Sequence, residues 1–501
     1  MNAAQPIARV AALRGLPRGA GLPRRAEVVL VLVAGSVAGA IAGASATSSP
    51  FMVGLASAAL ALPAAAALFG GIRRLLLALV VIDIPLQFDV NPGYRDDVAA
   101  LSALSGWTLS ITTVAIVGLY LAWAARLLVG RDARDWRPRL GAAAIPLLFL
   151  ALMVLSLRVA QDSTLAGFEI NMFAQLTLLL VYLASTVRSR GDVSLIVVAL
   201  LVGLCLESLV ALLMFATGAD LRPGHHAVTT GTGAVALTSA PDPGRLAGTF
   251  GAPNAAGSYF AFMVPLAIAI FMSSVPKGMR RLALAGCVFG LLALGLTLSR
   301  GGWIAFVVAM FVLAFGSRGS SRRRLSRRAR VTVTIVVVVV LIPLSGLIAG
   351  RLLGDDHGAA SGRVPLIEIS LQMIRDHPMF GLGANNFIIA LPHYTGPEFS
   401  SDWLNVVHNR YLLIWTEAGI GALVAFVLFL VTTVRNGWRA RHHPDPLVSG
   451  AAIGLAAAVA GMAVHMNFDI FLARPPNQAL WIAGGVLAAP VMKVASERIR
   501  R

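Results

Sequence analysis

Three residues in this 501-residue chain have the types and surroundings to act on a phosphorylated substrate: Arg245, Arg300 and His408. Arg245 sits in Gly244-Arg245-Leu246-Ala247-Gly248-Thr249-Phe250-Gly251-Ala252-Pro253-Asn254, directly before a long apolar run. Arg300 sits in Leu298-Ser299-Arg300-Gly301-Gly302-Trp303, a tight connection between two such runs. A guanidinium fork binds phosphate oxygens two at a time, so a pair of forks suits a diphosphate. The Ser and Gly residues around Arg300 would let backbone amides approach the same anion. His408 lies at the start of a further apolar run, where an imidazole can serve as general base near neutral pH. Supporting candidates are Asn254, Arg363, Asn409 and Arg410, with Glu207 and Glu417, two carboxylates placed inside apolar segments.

Each of these has a plainer reading. Arginine at a membrane boundary snorkels to headgroup phosphates. A histidine at a helix start is often a hydrogen-bonded interfacial residue, and a buried carboxylate often pairs with a neighbouring helix. Asp83 beside Pro85 is a weaker case of the last kind. His465, Asn467, Asp469 and Arg474 form a second polar group, read as lining the same cavity as His408.

The elements that must position these residues are membrane helices. The chain is 57% hydrophobic and only 13% charged, which excludes an ordinary soluble domain. Apolar runs of spanning length repeat along it, and about fourteen transmembrane helices are expected (12–14 by looser counting). The expected spans are 26–46, 51–70, 74–88, 107–127, 140–158, 168–187, 193–216, 254–275, 282–298, 302–317, 331–350, 411–434, 447–465 and 477–493. Most of the 41 Lys and Arg residues fall on the side of the N-terminus if these alternate, which makes both termini cytoplasmic. The net charge of +18 is therefore a topology signal beside anionic lipid, and no nucleic-acid partner is expected.

On that reading the chain divides into a basic cytoplasmic tail (1–25), eleven helices (26–350) interrupted by an extracytoplasmic loop (217–253), a large extracytoplasmic loop (351–410), three helices (411–493) and a basic cytoplasmic tail (494–501). Within the large loop, Val364, Ile367, Leu371 and Ile374 fall on one face of a helix, with Pro365 suiting its first turn and Pro378 its end. Such a helix would lie on the outer leaflet and roof a cavity opening from the bundle. No Walker loop, dinucleotide fingerprint, His-Glu-x-x-His or Cys-pair metal site is present, so neither metal nor cofactor is expected. Cys205 and Cys287 both lie inside spans and read as small buried side chains.

The order Arg245-Leu-Ala-Gly-Thr-Phe-Gly-Ala-Pro-Asn254, Ser299-Arg300-Gly301, Ser361-Gly362-Arg363, Asp376-His377-Pro378-Met379-Phe380-Gly381-Leu382-Gly383, His408-Asn409-Arg410-Tyr411-Leu412 and Glu417-Ala418-Gly419 resembles the O-antigen ligase and O-antigen polymerase superfamily. The resemblance spans about residues 240–425 and rests on the ordered set, since no single tetrapeptide is specific. It implies an all-α polytopic membrane glycosyltransferase of the GT-C type in the bacterial cytoplasmic (inner) membrane. Such enzymes move glycan from an undecaprenyl-diphosphate carrier to a glycan, lipid or protein hydroxyl on the outer face. They work in cell-surface polysaccharide biosynthesis, beside other polysaccharide-assembly proteins. By similarity Arg245 and Arg300 match the diphosphate-binding arginines and His408 the residue that activates the acceptor. The alternative is a lipid-linked oligosaccharide flippase. A flippase should show two similar halves and short loops on both sides, and this chain shows neither.

Overall fold

The computed structural model describes residues 70–99, 103–129, 137–219, 244–316, 363–395 and 405–493, with isolated positions between 332 and 350. The expected spans 26–46 and 51–70, the terminal tails, the cluster Arg318 to Arg330 and most of 217–253 and 331–350 lie outside the described residues.

Among the described residues the architecture is helical: α1 (Ile72–Leu86), α2 (Ile111–Val129), α3 (Ala144–Ser156), α4 (Ser163–Thr186), α5 (Arg190–Thr217), α6 (Pro253–Phe271), α7 (Lys277–Leu296), α8 (Arg300–Gly316), α9 (Arg363–Asp376), α10 (Arg410–Ala440), α11 (Pro446–His465) and α12 (Arg474–Leu487). Seven are long and apolar enough to cross a membrane: α2, α4, α5, α6, α7, α10 and α11. The protein is an all-α polytopic membrane protein.

Local chemistry sets the helix starts. Asp162 caps α4 by accepting from Thr164 N and Leu165 N, each at 3.0 Å. Ser189 and Asp192 form a reciprocal capping box at the start of α5. Asp445 caps α11 with Pro446 in its first turn. Near the centre, α11 packs against α6, α8 and α10. Its small residues allow this: Gly454 abuts the Leu266 backbone of α6, and Gly461 abuts Ala305 of α8. Close van der Waals packing of small residues holds helices together where lipid removes the hydrophobic drive.

Two findings change expectations, one about a polar residue and one about an apolar face. Arg474, grouped by sequence with His465, is instead consumed in ion pairs with Asp83 and Asp89. Its Nη2 lies 2.7 Å from Asp89 Oδ1 and its Nη1 3.1 Å from Asp83 Oδ2. Asp83 also accepts from Thr112 Oγ1 at 2.7 Å. This network pins α12 to the end of α1 and to the two-residue pairing of Asp89–Val90 with Leu109–Ser110. The second change concerns α9, whose buried face is Leu366, Ile369, Ser370, Met373 and Ile374. Val364, Ile367 and Leu371 are exposed. Only Ile374 of the expected face is inside, because the helix carries two apolar stripes and the inner one packs on Phe387, Leu391, Val406 and Val407.

Candidate functional site

Gly419 breaks α10 into two pieces: its φ of 79° and ψ of 173° are not helical. Residues 420–440 alone extend about 31 Å at 1.5 Å per residue, a full hydrocarbon thickness. His408 lies just before the shorter piece, two residues ahead of its first residue, Arg410. A Cβ at Gly419 would land on the Met379 carbonyl, so the kink is where the 378–387 segment docks. Ile420 N donates to Pro378 O at 3.0 Å, and Leu382 N and Gly383 N donate to Thr416 O and Glu417 O. Glu417 thus has a clear structural task. Its Oε1 accepts from Phe387 N at 3.1 Å, which locks the docked segment.

Asn409 caps α10, accepting from Tyr411 N and Leu412 N. Arg410, 0% exposed, turns inward to Glu169 of α4 at 2.9 Å and lies over the Phe173 ring. These two residues orient the segment that carries His408. Glu169 gave no sequence signal beyond being an ionisable residue in an apolar helix.

His408 is half-buried. Its Nδ1 lies 3.0 Å from Val406 O, and a carbonyl can only accept, so Nδ1 carries the hydrogen. The neutral ring then presents a lone pair on Nε2, the geometry of a general base. Burial pushes its pKa below the ordinary 6.5; Asp469 opposes that shift, while Arg363 adds to it.

Asp469 and Arg363 are also the charged neighbours of His465, the last residue of α11. That ring is 2% exposed, stands edge-on to Phe471 at 5.1 Å, and has an unpartnered Nδ1. On its other edge, Nε2 lies within 2.5 Å of where a Cβ on Gly301 would be. Only glycine fits beside it. Arg410 N donates to Met466 O at 2.8 Å, tying the His408 segment to the end of α11.

The two arginines lie on neighbouring segments. Ser299 caps α8, accepting from Gly302 N at 3.2 Å, and this sets Arg300 at the helix start. Arg245 Nε donates to Thr297 O and its Nη2 to Asn254 Oδ1, both at 3.0 Å. Leu246 N donates to Leu296 O, so the Arg245 strand runs along the end of α7. Glu207 fastens that strand from below: Oε1 accepts from Thr249 N at 3.0 Å, and Oε2 lies 2.7 Å from Thr249 Oγ1. Leu298 and Phe471, both flanking this spot, hold left-handed φ values of 50° and 49°. Strain of that kind in non-glycine residues collects at functional sites.

The sequence-predicted residues therefore sort by position. Arg245 is bonded to Asn254 and to the Thr297 carbonyl, three residues before Arg300, while His408 and His465 share Asp469 and Arg363 as charged neighbours. Asn409, Arg410, Glu207 and Glu417 support these from behind. His465 and Asp469 were visible as a polar group, but nothing in their spacing singled them out. Among the described residues no group of three or more His, Cys, Asp or Glu could hold a metal ion.

The described helices make this a polytopic membrane protein whose polar residues gather at the ends of α7, α8, α10 and α11. Residues 285–427, from within α7 to within α10, match the family model described as O-Antigen ligase, which places this part of the chain in the O-antigen ligase superfamily. A search of curated proteins returned no match.

Proposed function

We propose that the chain is a glycosyltransferase that moves or polymerises glycan from an undecaprenyl-diphosphate-linked donor onto a hydroxyl acceptor. The reaction takes place at the extracytoplasmic face of the bacterial inner membrane. The family match supports glycan transfer in the membrane at a coarse level. The observation that carries the finer reading is the junction at Gly301–His465, which joins the arginine turn to the segment bearing His408.

In this reading Arg245 and Arg300 hold the donor diphosphate, and Asn254 and the Thr297 carbonyl fix the Arg245 fork. His408 Nε2 accepts the proton of the acceptor hydroxyl as that oxygen attacks the anomeric carbon. The bond from the anomeric carbon to the phosphate oxygen breaks, and its electron pair leaves on the diphosphate. The arginines stabilise that growing charge, the kind of electrostatic help that supplies several kcal/mol of a barrier. Asp469 stabilises the imidazolium that His408 becomes, as a carboxylate beside a catalytic histidine does.

The test is glycan electrophoresis from cells carrying a deletion, the wild type or His408→Ala. His408→Ala at normal protein level is expected to reproduce the deletion. A near-normal ladder would remove His408 as the base. Single repeats still attached in the deletion indicate a polymerase, and loss of all attachment indicates a ligase.

A further inference from the structure

The Asp376-His377 pair opens one of the motifs noted above, yet neither the arginine cluster nor the base uses it. Both residues line an open cavity of about 380 Å³ on the face of α9's C-terminal end. That volume lies near the lower end for a small-molecule site. Across the cavity stand His393 and Tyr394 from the turn after Leu391, with Gln161 from the segment before α4. Leu382 and Ala390 form its floor.

The lining chemistry narrows the ligand. Gln161, Asp376, His377, His393 and Tyr394 together offer donors and acceptors in planar groups, the inventory that matches vicinal hydroxyls. Among the described residues no lysine or arginine lines it, which disfavours a phosphate. Its two apolar residues are too few to hold a polyprenyl chain. A neutral or amino-sugar unit fits both the size and the polarity.

The walls are fixed without a ligand. Tyr394 O–H donates to Asp376 Oδ2 at 3.0 Å, joining the helix end to the facing turn. Asn386 accepts from Asp162 N at 2.7 Å and donates to Asp162 O at 3.0 Å, which holds the Gln161 wall. Asn385 donates to Leu104 O and Leu165 O. Gly383 abuts Ala160. A site ordered in advance loses less on binding.

Its position relative to the base sets its role. Arg363 at the start of α9 is a charged neighbour of His408, and Asp376 ends the same helix thirteen residues later. That is about 20 Å along the axis. Leu382 and Ala390 share one apolar cluster with Val406 and Val407, the residues just before His408, so cavity and base belong to one packed unit.

We propose that this cavity is a distal glycan subsite, gripping a sugar several units away from the reacting end. The proposal rests on the glycan-transfer reading and makes the protein sensitive to glycan length. A grip remote from the chemistry contributes binding that only a long glycan can use.

The experiment uses the full chain in nanodiscs and the host's own surface polysaccharide, released from lipid by mild acid and sized. Binding is read by saturation-transfer NMR, and transfer is read separately with short and long lipid-linked donors. Multi-repeat fragments are expected to bind wild type and His408→Ala alike. The double variant Asp376→Ala/His393→Ala should bind at least tenfold more weakly. Gln161→Ala, an exposed change, should weaken binding with an unchanged melting temperature, which separates the effect from misfolding. In transfer, the double variant should raise KM for long donors and leave short donors as they were. Unaltered binding by both variants, or no binding by wild type, overturns the subsite. Binding by wild type without any transfer would sink the glycosyltransferase reading and leave the subsite standing.

Discussion

His408 has one ring nitrogen committed to the Val406 carbonyl, and in the proposed mechanism its protonation state controls the rate. Burial lowers its pKa from the ordinary 6.5, which favours the neutral ring. The acid limb of kcat/KM, which reports the free enzyme, is therefore expected below pH 6.5, with the rate falling as pH falls. Asp469 favours the protonated ring and Arg363 disfavours it. Asp469→Asn should move that limb to lower pH, and Arg363→Gln should move it higher. A pH–rate series on the purified protein checks both signs, and a limb unmoved by either change would mean another group titrates. The histidine and the two arginines were legible as residues because each breaks an apolar pattern. His465 was legible only as one of a polar group, since what distinguishes it is a glycine from another helix that leaves room for its ring.

Among the elements, α9 and α10 show where periodicity stops being informative. Leu366, Ile369 and Met373 lie at the same helical spacing as Val364, Ile367 and Leu371, so the pattern predicts a helix but not its inner side. The small core of Phe387, Leu391, Val406 and Val407 makes that choice. Gly419 is similarly silent, because one glycine in an apolar helix costs only about 1 kcal/mol and need not bend it. It bends because the 378–387 segment packs there. Gly419→Ala is expected to be destabilising by more than about 1 kcal/mol, since it adds a Cβ at positive φ against the Met379 backbone. A lowered melting temperature with reduced transfer is the expected result. An unchanged melting temperature would show that the kink is not held by this contact.

On the scale of the molecule, cysteine labelling measures directly the orientation expected from the charge distribution. In a background lacking Cys205 and Cys287, Ser400→Cys should react with an impermeant reagent from outside, and Leu325→Cys only after permeabilisation. The reverse pattern would invert the topology and remove the extracytoplasmic reaction. Composition alone determined that this is a helical membrane protein, because lipid leaves the backbone few ways to satisfy its hydrogen bonds. The order of polar motifs along the chain determined the family resemblance. Only the tertiary structure decided which polar residues meet. Arg474 turned to Asp83 and Asp89, Arg410 to Glu169, and Glu207 and Glu417 to backbone amides of the segments they clamp. Those pairings join residues up to several hundred positions apart, and a buried charge takes whichever partner the helix packing brings within reach. No spacing in the sequence encodes that.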